Sequence, residues 1–401
     1  MSETQDCTVT LRRVDGPEAT ELFILCQPPS GAGDVGGQSE AVYSAIAGVL
    51  EAEGGGFGSV VSETVLLRNL RLNVEPVRRA RQRVLTQRAS VFHQPAATVI
   101  EQPPLGDRVG LEVMVHAVLP HDPPLDMETI EVEPACGCIE CARAHGVRVG
   151  IGDEVRFHAG GVCGAGGSAY EQTREMFDVA ERLLRKAGME FSDVVRTWIY
   201  FRDIDRDYTE LNRARRAFFE ARVISPVPAS TGIGGAPVSD AHDICLGLYA
   251  VKSAQPLARS VMTSPTLNEA PQYGADFVRG MRVVEANKTA LYVSGTASID
   301  EEGRTAHVGD FDAQAERMLV NIRTLLEGQG AGFGDVVSAI TYLRDPANAA
   351  RLRQKLCDAG FGGFPNAMVE APICRADLLC EIEALAVLPN RTPDRRAKRS
   401  R

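Results

Sequence analysis

No apolar run in this 401-residue chain approaches the ~20 residues that a membrane-spanning helix needs, so no membrane partner is expected. The opening Met1-Ser-Glu-Thr-Gln-Asp6 lacks a basic stretch followed by an apolar one, and no secretory signal is read there. Positive charge is in deficit: 43 Lys and Arg against 53 Asp and Glu leave a net charge of −10, which argues against a broad nucleic-acid surface. Aromatic residues are only 6% of the chain; the single tryptophan, Trp198, lies in an apolar strand where packing is its expected role. The ten cysteines are dispersed and, with no signal peptide in view, read as reduced thiols of a cytoplasmic protein. One loop, Ser30 to Gln38, is glycine-rich but has neither the Gly-Lys-Ser/Thr ending nor the Gly-x-Gly-x-x-Gly spacing of phosphate-binding loops, and reads as a plain strand-to-helix turn.

What the chain does have is repetition. Phe57 to Asn69, Phe191 to Asp203 and Phe333 to Asp345 align residue for residue, 134 and then 142 positions apart. Each follows a helical run and precedes a second helix and a closing apolar strand, the pattern of one α+β unit used three times. In the third copy Phe311, Ala315, Met318, Leu319, Ile322 and Leu326 recur at helical spacing. The expected organisation is a first unit over residues 1–120, a Pro-rich acidic linker over 121–149, a second unit over 150–255, a third over 256–388 and a disordered basic tail over 389–401. In the second unit Gly232, Gly234 and Gly235 permit close backbone approach, by a ligand or by a neighbouring unit.

The linker contains Cys136, Cys138 and Cys141 followed by His145. Three thiols and an imidazole within ten residues could form a tetrahedral structural zinc site; free thiols are the alternative, and no other cofactor is expected.

The closing strand of the third unit carries the most chemistry. Alternation places Leu379, Glu381, Glu383 and Leu385 on one face and Cys380, Ile382, Ala384 and Ala386 on the other. The apolar face should meet the helices, which leaves two carboxylates on the face where units pack together. A carboxylate in such a dry seam has a raised pKa and can donate a proton near neutral pH. The matching position reads as Glu112 in the first unit and Gly247 in the second, so the three sites have diverged.

The Gly-Asp-Val-Val and Thr-Tyr-Leu-Arg-Asp run of the third unit, its Phe364-Pro365 and its closing Cys380 to Val387 resemble the reactive-intermediate deaminase superfamily, RidA/YjgF. That resemblance implies a chorismate-mutase-like α+β unit assembled as a trimer, here as a pseudo-trimer within one chain. The imine deaminases of that superfamily hold the substrate carboxylate with an arginine just after Phe-Pro. Asn366 or Ala367, Ser230 and Ala97 stand there in this sequence. Val293 to Ile299, His307 to Asp310 and Ile373 to Glu383 resemble a narrower branch, the chorismatases, which cleave the enolpyruvyl ether of chorismate. The resemblance implies Glu381 as the acid that protonates the enol-ether methylene. It implies Ala297 and Cys374 as product-steering pocket positions, and Tyr273, Arg375 and Glu383 as substrate contacts. The expectation is therefore a hydrolase or lyase of specialised metabolism. It would act on a small carboxylated, unsaturated substrate, as a monomeric pseudo-trimer or low homo-oligomer. A diverged imine or enamine deaminase and a catalytically inactive ligand-binding scaffold are the rival readings.

Overall fold

The computed structural model describes residues 6–29, 33–88, 94–106, 108–122, 124–133, 144–268 and 276–390. The first unit runs β1 (Thr8–Asp15), β2 (Ala19–Gln27), α1 (Val35–Ala52), β3 (Val60–Leu67), α2 (Leu70–Arg88), β4 (Ala96–Glu101) and β5 (Leu111–Pro120). The second runs β6 (Asp126–Val132), β7 (Ala144–Ile151), β8 (Glu154–Cys163), α3 (Ala169–Lys186), β9 (Val194–Phe201), α4 (Ile204–Arg222), β10 (Ala229–Gly234), β11 (Ala236–Pro237) and β12 (Ile244–Ser253). The third runs β13 (Arg259–Val261), β14 (Gly280–Val284), β15 (Thr289–Ala297), α5 (Phe311–Glu327), β16 (Val336–Leu343), α6 (Ala349–Asp358), β17 (Asn366–Glu370) and β18 (Cys380–Leu388). Three six-stranded sheets result: β1-β2-β5-β3-β4-β11, β6-β7-β8-β12-β9-β10 and β13-β14-β15-β18-β16-β17. The same path is followed three times, each with one parallel pair (β3/β4, β9/β10, β16/β17) among antiparallel neighbours.

Local chemistry sets the elements. Asp34, Ser168, Asp203 and Asp310 cap α1, α3, α4 and α5 by accepting a backbone N–H of the first turn. At α3 the Glu171 carboxylate bonds back to the Ser168 N–H and closes a capping box. The repeated phenylalanines, Phe57, Phe191 and Phe333, are buried at the short turn that feeds the middle strand of each unit. The apolar face of β18 meets helix α5: Ile382 and Ala386 share one core with Met318, Leu319 and Ile322.

The residues expected to form a linker do otherwise. Asp126–Val132 and Ala144–Ile151 are β6 and β7, paired residue by residue at the edge of the second sheet. Ile130, Val149 and Ile151 are buried between more accessible neighbours, a strand patterning that the prolines and acidic residues of this stretch obscure. Cys136, Cys138 and Cys141 lie outside the described residues. His145 sits in β7, with Nε2 3.0 Å from the Pro95 carbonyl. Among the described residues no group of three or more metal-ligating side chains comes together, and no helix is long and apolar enough to cross a membrane.

The helix-free faces pack around a pseudo-threefold axis. Val195, Tyr249 and Val251 of the second unit join Val283, Ala290 and Tyr292 of the third. Val61 and Val118 of the first join Val147 and Val149 of the second. Backbone bridges close the ring: β11 pairs with β4, Ile233 with Ile373, and Pro104 with Val369. Gly234 and Gly235 serve neighbouring units. Gly234 donates to the Pro372 carbonyl of the third unit at 2.8 Å, and a Cβ on Gly235 would press on Ile100 of the first. At one end of the axis all three units meet in a buried ionic cluster. Glu21 accepts from Arg156 at 2.8 Å and from Lys288, and Glu285 pairs with both cations.

Candidate active site at the seam between the second and third units

Glu381 lies near the start of β18, directly across the pair from Ala297 on β15 and from Tyr342 on β16. It is 4% exposed. Its carboxyl accepts no hydrogen bond from any described residue, whereas Glu383, two residues on, has both oxygens engaged. Trp198 Nε1 donates to one Glu383 oxygen at 2.7 Å and Arg196 Nη2 to the other at 2.9 Å. Burial, and then the neighbouring Glu383 charge, push the Glu381 carboxyl up to about 8, against the opposing pull of Arg279 and Arg196. A group in that condition carries its proton at neutral pH.

The wall opposite comes from the second unit. Gly295 N–H donates to Thr231 Oγ1 at 2.9 Å, and Arg196 Nη2 donates to the same oxygen at 2.5 Å. A Cβ at Gly295 would collide with Glu381 Oε1 and crowd the Thr231 methyl, so glycine is required by the approach of two side chains from two units. Ser294, the residue before Gly295 in β15, donates to the Val278 carbonyl at 2.6 Å and accepts from Ser230 N–H at 2.9 Å. Beside it Phe277 lies between two buried arginines, 5.6 Å from Arg279 and 5.8 Å from Arg215. Arg279 is oriented by Asn268 through its carbonyl (2.8 Å) and its side chain (3.1 Å), and Arg215 by Asn212 (2.6 Å).

Cys374 is half-buried. Burial and then the Glu381 charge push its thiol up to about 12, while Arg375, Arg279 and a hydrogen bond with Tyr208 pull the other way. A thiol held that high keeps its proton at neutral pH. Arg375 reaches the Gly303 carbonyl at 2.8 Å. Glu381, Ala297 and Cys374 thus converge, with Arg375 next to Cys374 in the chain. Glu383, expected to touch substrate, is committed to Arg196 and Trp198, and Trp198 holds a carboxylate besides packing. Tyr273 lies outside the described residues. The residues that the sequence reading missed are Arg279, Arg215, Thr231, Gly295 and Arg196. Only Arg215 left a trace, since it stands one repeat after Arg81.

Strand register corrects the match between units. Leu343, Phe201 and Leu67 are equivalent through the repeated anchor, and they pair with Cys380, Ile244 and Leu111. The position of Glu381 is therefore Cys245 in the second unit and Glu112 in the first; Gly247 answers to Glu383. At the seam between the second and first units the acid is thus replaced by a thiol, in a cavity of about 300 Å³. There Arg81, the counterpart of Arg215, is taken by Glu63 through Nε (3.0 Å) and Nη2 (2.8 Å). At the seam between the first and third units Glu112 accepts from Gln27 at 2.6 Å, and burial raises its carboxyl to about 7. The counterpart of Arg215 there is the exposed Cys357. Among the described residues, the Glu381 seam is the one that brings a carboxyl raised to about 8 together with arginines from both flanking units, Arg279 of the third and Arg196 of the second.

The endoribonuclease L-PSP family model matches residues 155–250 and 268–388, together more than half of the chain. A 3-hydroxybenzoate synthase of Streptomyces hygroscopicus is 28% identical over 347 residues, which span 76% of this chain and 98% of that protein. A RutC family protein of Pyrococcus abyssi is 34% identical over 98 residues, covering 24% of this chain and 76% of the relative. Among solved structures a chorismatase superposes with a TM-score of 0.61 at 17% identity, covering 92% of this chain and 99% of the other, a likeness of fold. The chain belongs to the endoribonuclease L-PSP family, the RidA/YjgF superfamily, in a chorismatase-like form that carries three units in one polypeptide.

Proposed function

We propose that this protein is a chorismatase-type enzyme that cleaves an enol ether on a small carboxylated substrate, chorismate being the compound to test first. The observation that carries the reading is Glu381: a seam-buried carboxyl, protonated at neutral pH and hydrogen-bonded to no described residue, with Arg279 acting on it from one side. Protonation of the enol-ether methylene by Glu381 leaves an oxocarbenium ion at the ether carbon. Water adds there to give a hemiketal, whose hydroxyl becomes the pyruvate carbonyl as the ring oxygen departs with a proton. If a ring hydroxyl adds instead, the cyclic ketal breaks one ring C–O bond and that oxygen leaves as the pyruvate carbonyl. The ring then loses a proton to become aromatic while keeping the other oxygen as a hydroxyl. The proton lost by the adding group returns to the Glu381 carboxylate, which closes the cycle. Developing positive charge next to the newly formed carboxylate is stabilised in a dry seam. Arg279, Arg215 and Arg375 supply donors for the substrate carboxylates, the role bidentate arginine suits. Ala297 and Cys374, small and uncharged beside the acid, shape the space in which the adding group sits. The 3-hydroxybenzoate synthase that aligns over nearly all of its length supports an aromatic hydroxy acid as product.

The test is pyruvate release from chorismate by the purified chain. Turnover that falls ~10³-fold in Glu381→Gln with the fold intact supports the reading, since a positioned general acid contributes about that much. No pyruvate from the wild type, or a Glu381→Gln variant as active as the parent, overturns it. Ammonia release from a freshly generated imine would instead place the chain with the deaminases. The cytoplasmic location and the self-contained pseudo-trimer belong to this proposal, and size measurement in solution checks the latter.

A further inference from the structure

A second cavity, of about 160 Å³, lies on the pseudo-threefold axis, separated from Glu381 by the Glu383–Arg196 pair. That is room for about five waters or one small ring compound. Its wall is built of equivalent positions from the three units. Thr64, Trp198 and Ile340 form one such triplet, and Ser62, Arg196 and Ser338 another. Phe23, His158 and Tyr292 form a third, one from each of β2, β8 and β15. In a trimer of identical subunits each triplet is three copies of one residue, and an axial chamber has no direction. Here fusion has removed that constraint. Arg196, Trp198 and His158 come from the second unit; the equivalent positions are Ser62, Thr64 and Phe23 in the first and Ser338, Ile340 and Tyr292 in the third. The second unit thus forms a polar wall, and Phe23, Met114 and Ile340 form an apolar one, with His116 of the first unit and Lys288 of the third completing the lining.

Two groups on the polar wall have unused capacity. Arg196 spends Nη2 on Glu383 and Thr231, and its buried Nη1 meets no partner among the described residues. His158 meets Tyr249 at a tilt, with centroids 4.7 Å apart, and His116 edge to face at 5.4 Å, and its ring nitrogens hydrogen-bond no described residue. Burial, and the charges of His116 and Arg156, hold this imidazole neutral, with one N–H to give. The remaining charges on the wall are already matched: Lys288 by Glu21 and Glu285, Glu383 by Arg196. Arg196, Tyr249 and His158 stand in a row across β9, β12 and β8. Two inter-strand spacings put the first and last about 10 Å apart.

We propose that the axial chamber is a second binding site, distinct from the Glu381 seam, for a monocyclic aromatic acid with a polar substituent across the ring from its carboxylate. The carboxylate accepts from Arg196, the ring lies between Trp198 and the apolar wall, and the substituent meets His158. Neither end displaces an existing protein bond.

The probe is 4-hydroxybenzoate, followed by calorimetry and by a crystal structure of the complex. One equivalent per chain is expected, with the ring on the axis. Thr64→Trp, which repeats at the first unit what the second already carries, fills the chamber and abolishes binding. His158→Phe, which places the first unit's residue in the second, removes one donor and weakens binding about tenfold. Both variants should melt as the wild type does and leave Glu381-dependent turnover in place. Only water on the axis, or a ligand found at the Glu381 seam whose affinity ignores Thr64→Trp, overturns the proposal. Binding is read without turnover, so it stands or falls apart from the enzyme reading.

Discussion

At the scale of single residues, Glu381 and Glu112 differ from every exposed carboxylate in the same way: each is buried against another unit and holds its proton to unusually high pH. For a carboxyl raised in the folded state, the native chain binds a proton that the unfolded chain has lost. Stability therefore falls as pH rises from the unfolded value toward the folded one, and levels off above it. Glu112→Gln keeps an acceptor for Gln27 and removes this liability. The variant should gain on the order of 2–3 kcal/mol over wild type at pH 8 and almost nothing at pH 4, as read from denaturant unfolding at the two pH values. Gly295 is the other residue whose role is local and strict. Gly295→Ala should leave the melting profile near wild type but displace Glu381, lowering kcat about 10²-fold, the usual consequence of a misplacement near 1 Å. An alanine variant with full activity would show that the carboxyl has room to move. The carboxylate itself could be found from alternation along one strand. Gly295, Arg279 and Thr231 could not, because their importance comes from contacts between residues that are distant in sequence.

At the scale of elements, strand β18 places two acids at a spacing of two residues, and the surrounding strands give them different duties. Glu383 is saturated by Arg196 and Trp198 from β9, so it acts on Glu381 as a fixed negative charge. The alkaline limb of the activity profile should lie near pH 8 in the wild type, with activity lost as Glu381 ionises. Removing the Glu383 charge by Glu383→Gln should shift that limb to lower pH while the acid limb stays put. A uniform loss of rate at all pH values would mean that Glu383 only supports the fold. The same strand fixes the match between units. Gly247, read from the sequence as the match to Glu381, answers to Glu383, and hydrogen-bond register through the repeated anchor makes Cys245 the match. Register is a property of paired strands, and a one-residue ambiguity in a single strand is settled only when its neighbour is present. The β6–β7 hairpin was hidden for a related reason: proline and acidic residues are tolerated at a sheet edge, so its composition imitates a linker.

At the scale of the whole molecule, the three units are held around the axis by apolar seams and by the Glu21–Arg156–Lys288–Glu285 cluster, to which every unit contributes. Removing Lys288 leaves Glu21 and Glu285 sharing Arg156 as their one buried cation among the described residues, so Lys288→Met should cost on the order of 3–5 kcal/mol. Calorimetry should show this as loss of the whole transition and not of one unit. A melt that splits into separate unit transitions would show that the cluster does not couple them. Repeat spacing, helix caps, strand alternation and the acid at position 381 were all determined by the sequence alone. They depend on near neighbours along the chain and on periodicities of two and 3.6 residues. Which of three similar seams combines a protonated acid with arginines from two units was decided by the tertiary structure. So were the engagement of Glu383 by a neighbouring unit and the directional chamber on the axis. Each of these is set by how three unequal copies are brought into contact, and contact across hundreds of residues leaves no period in the sequence to read.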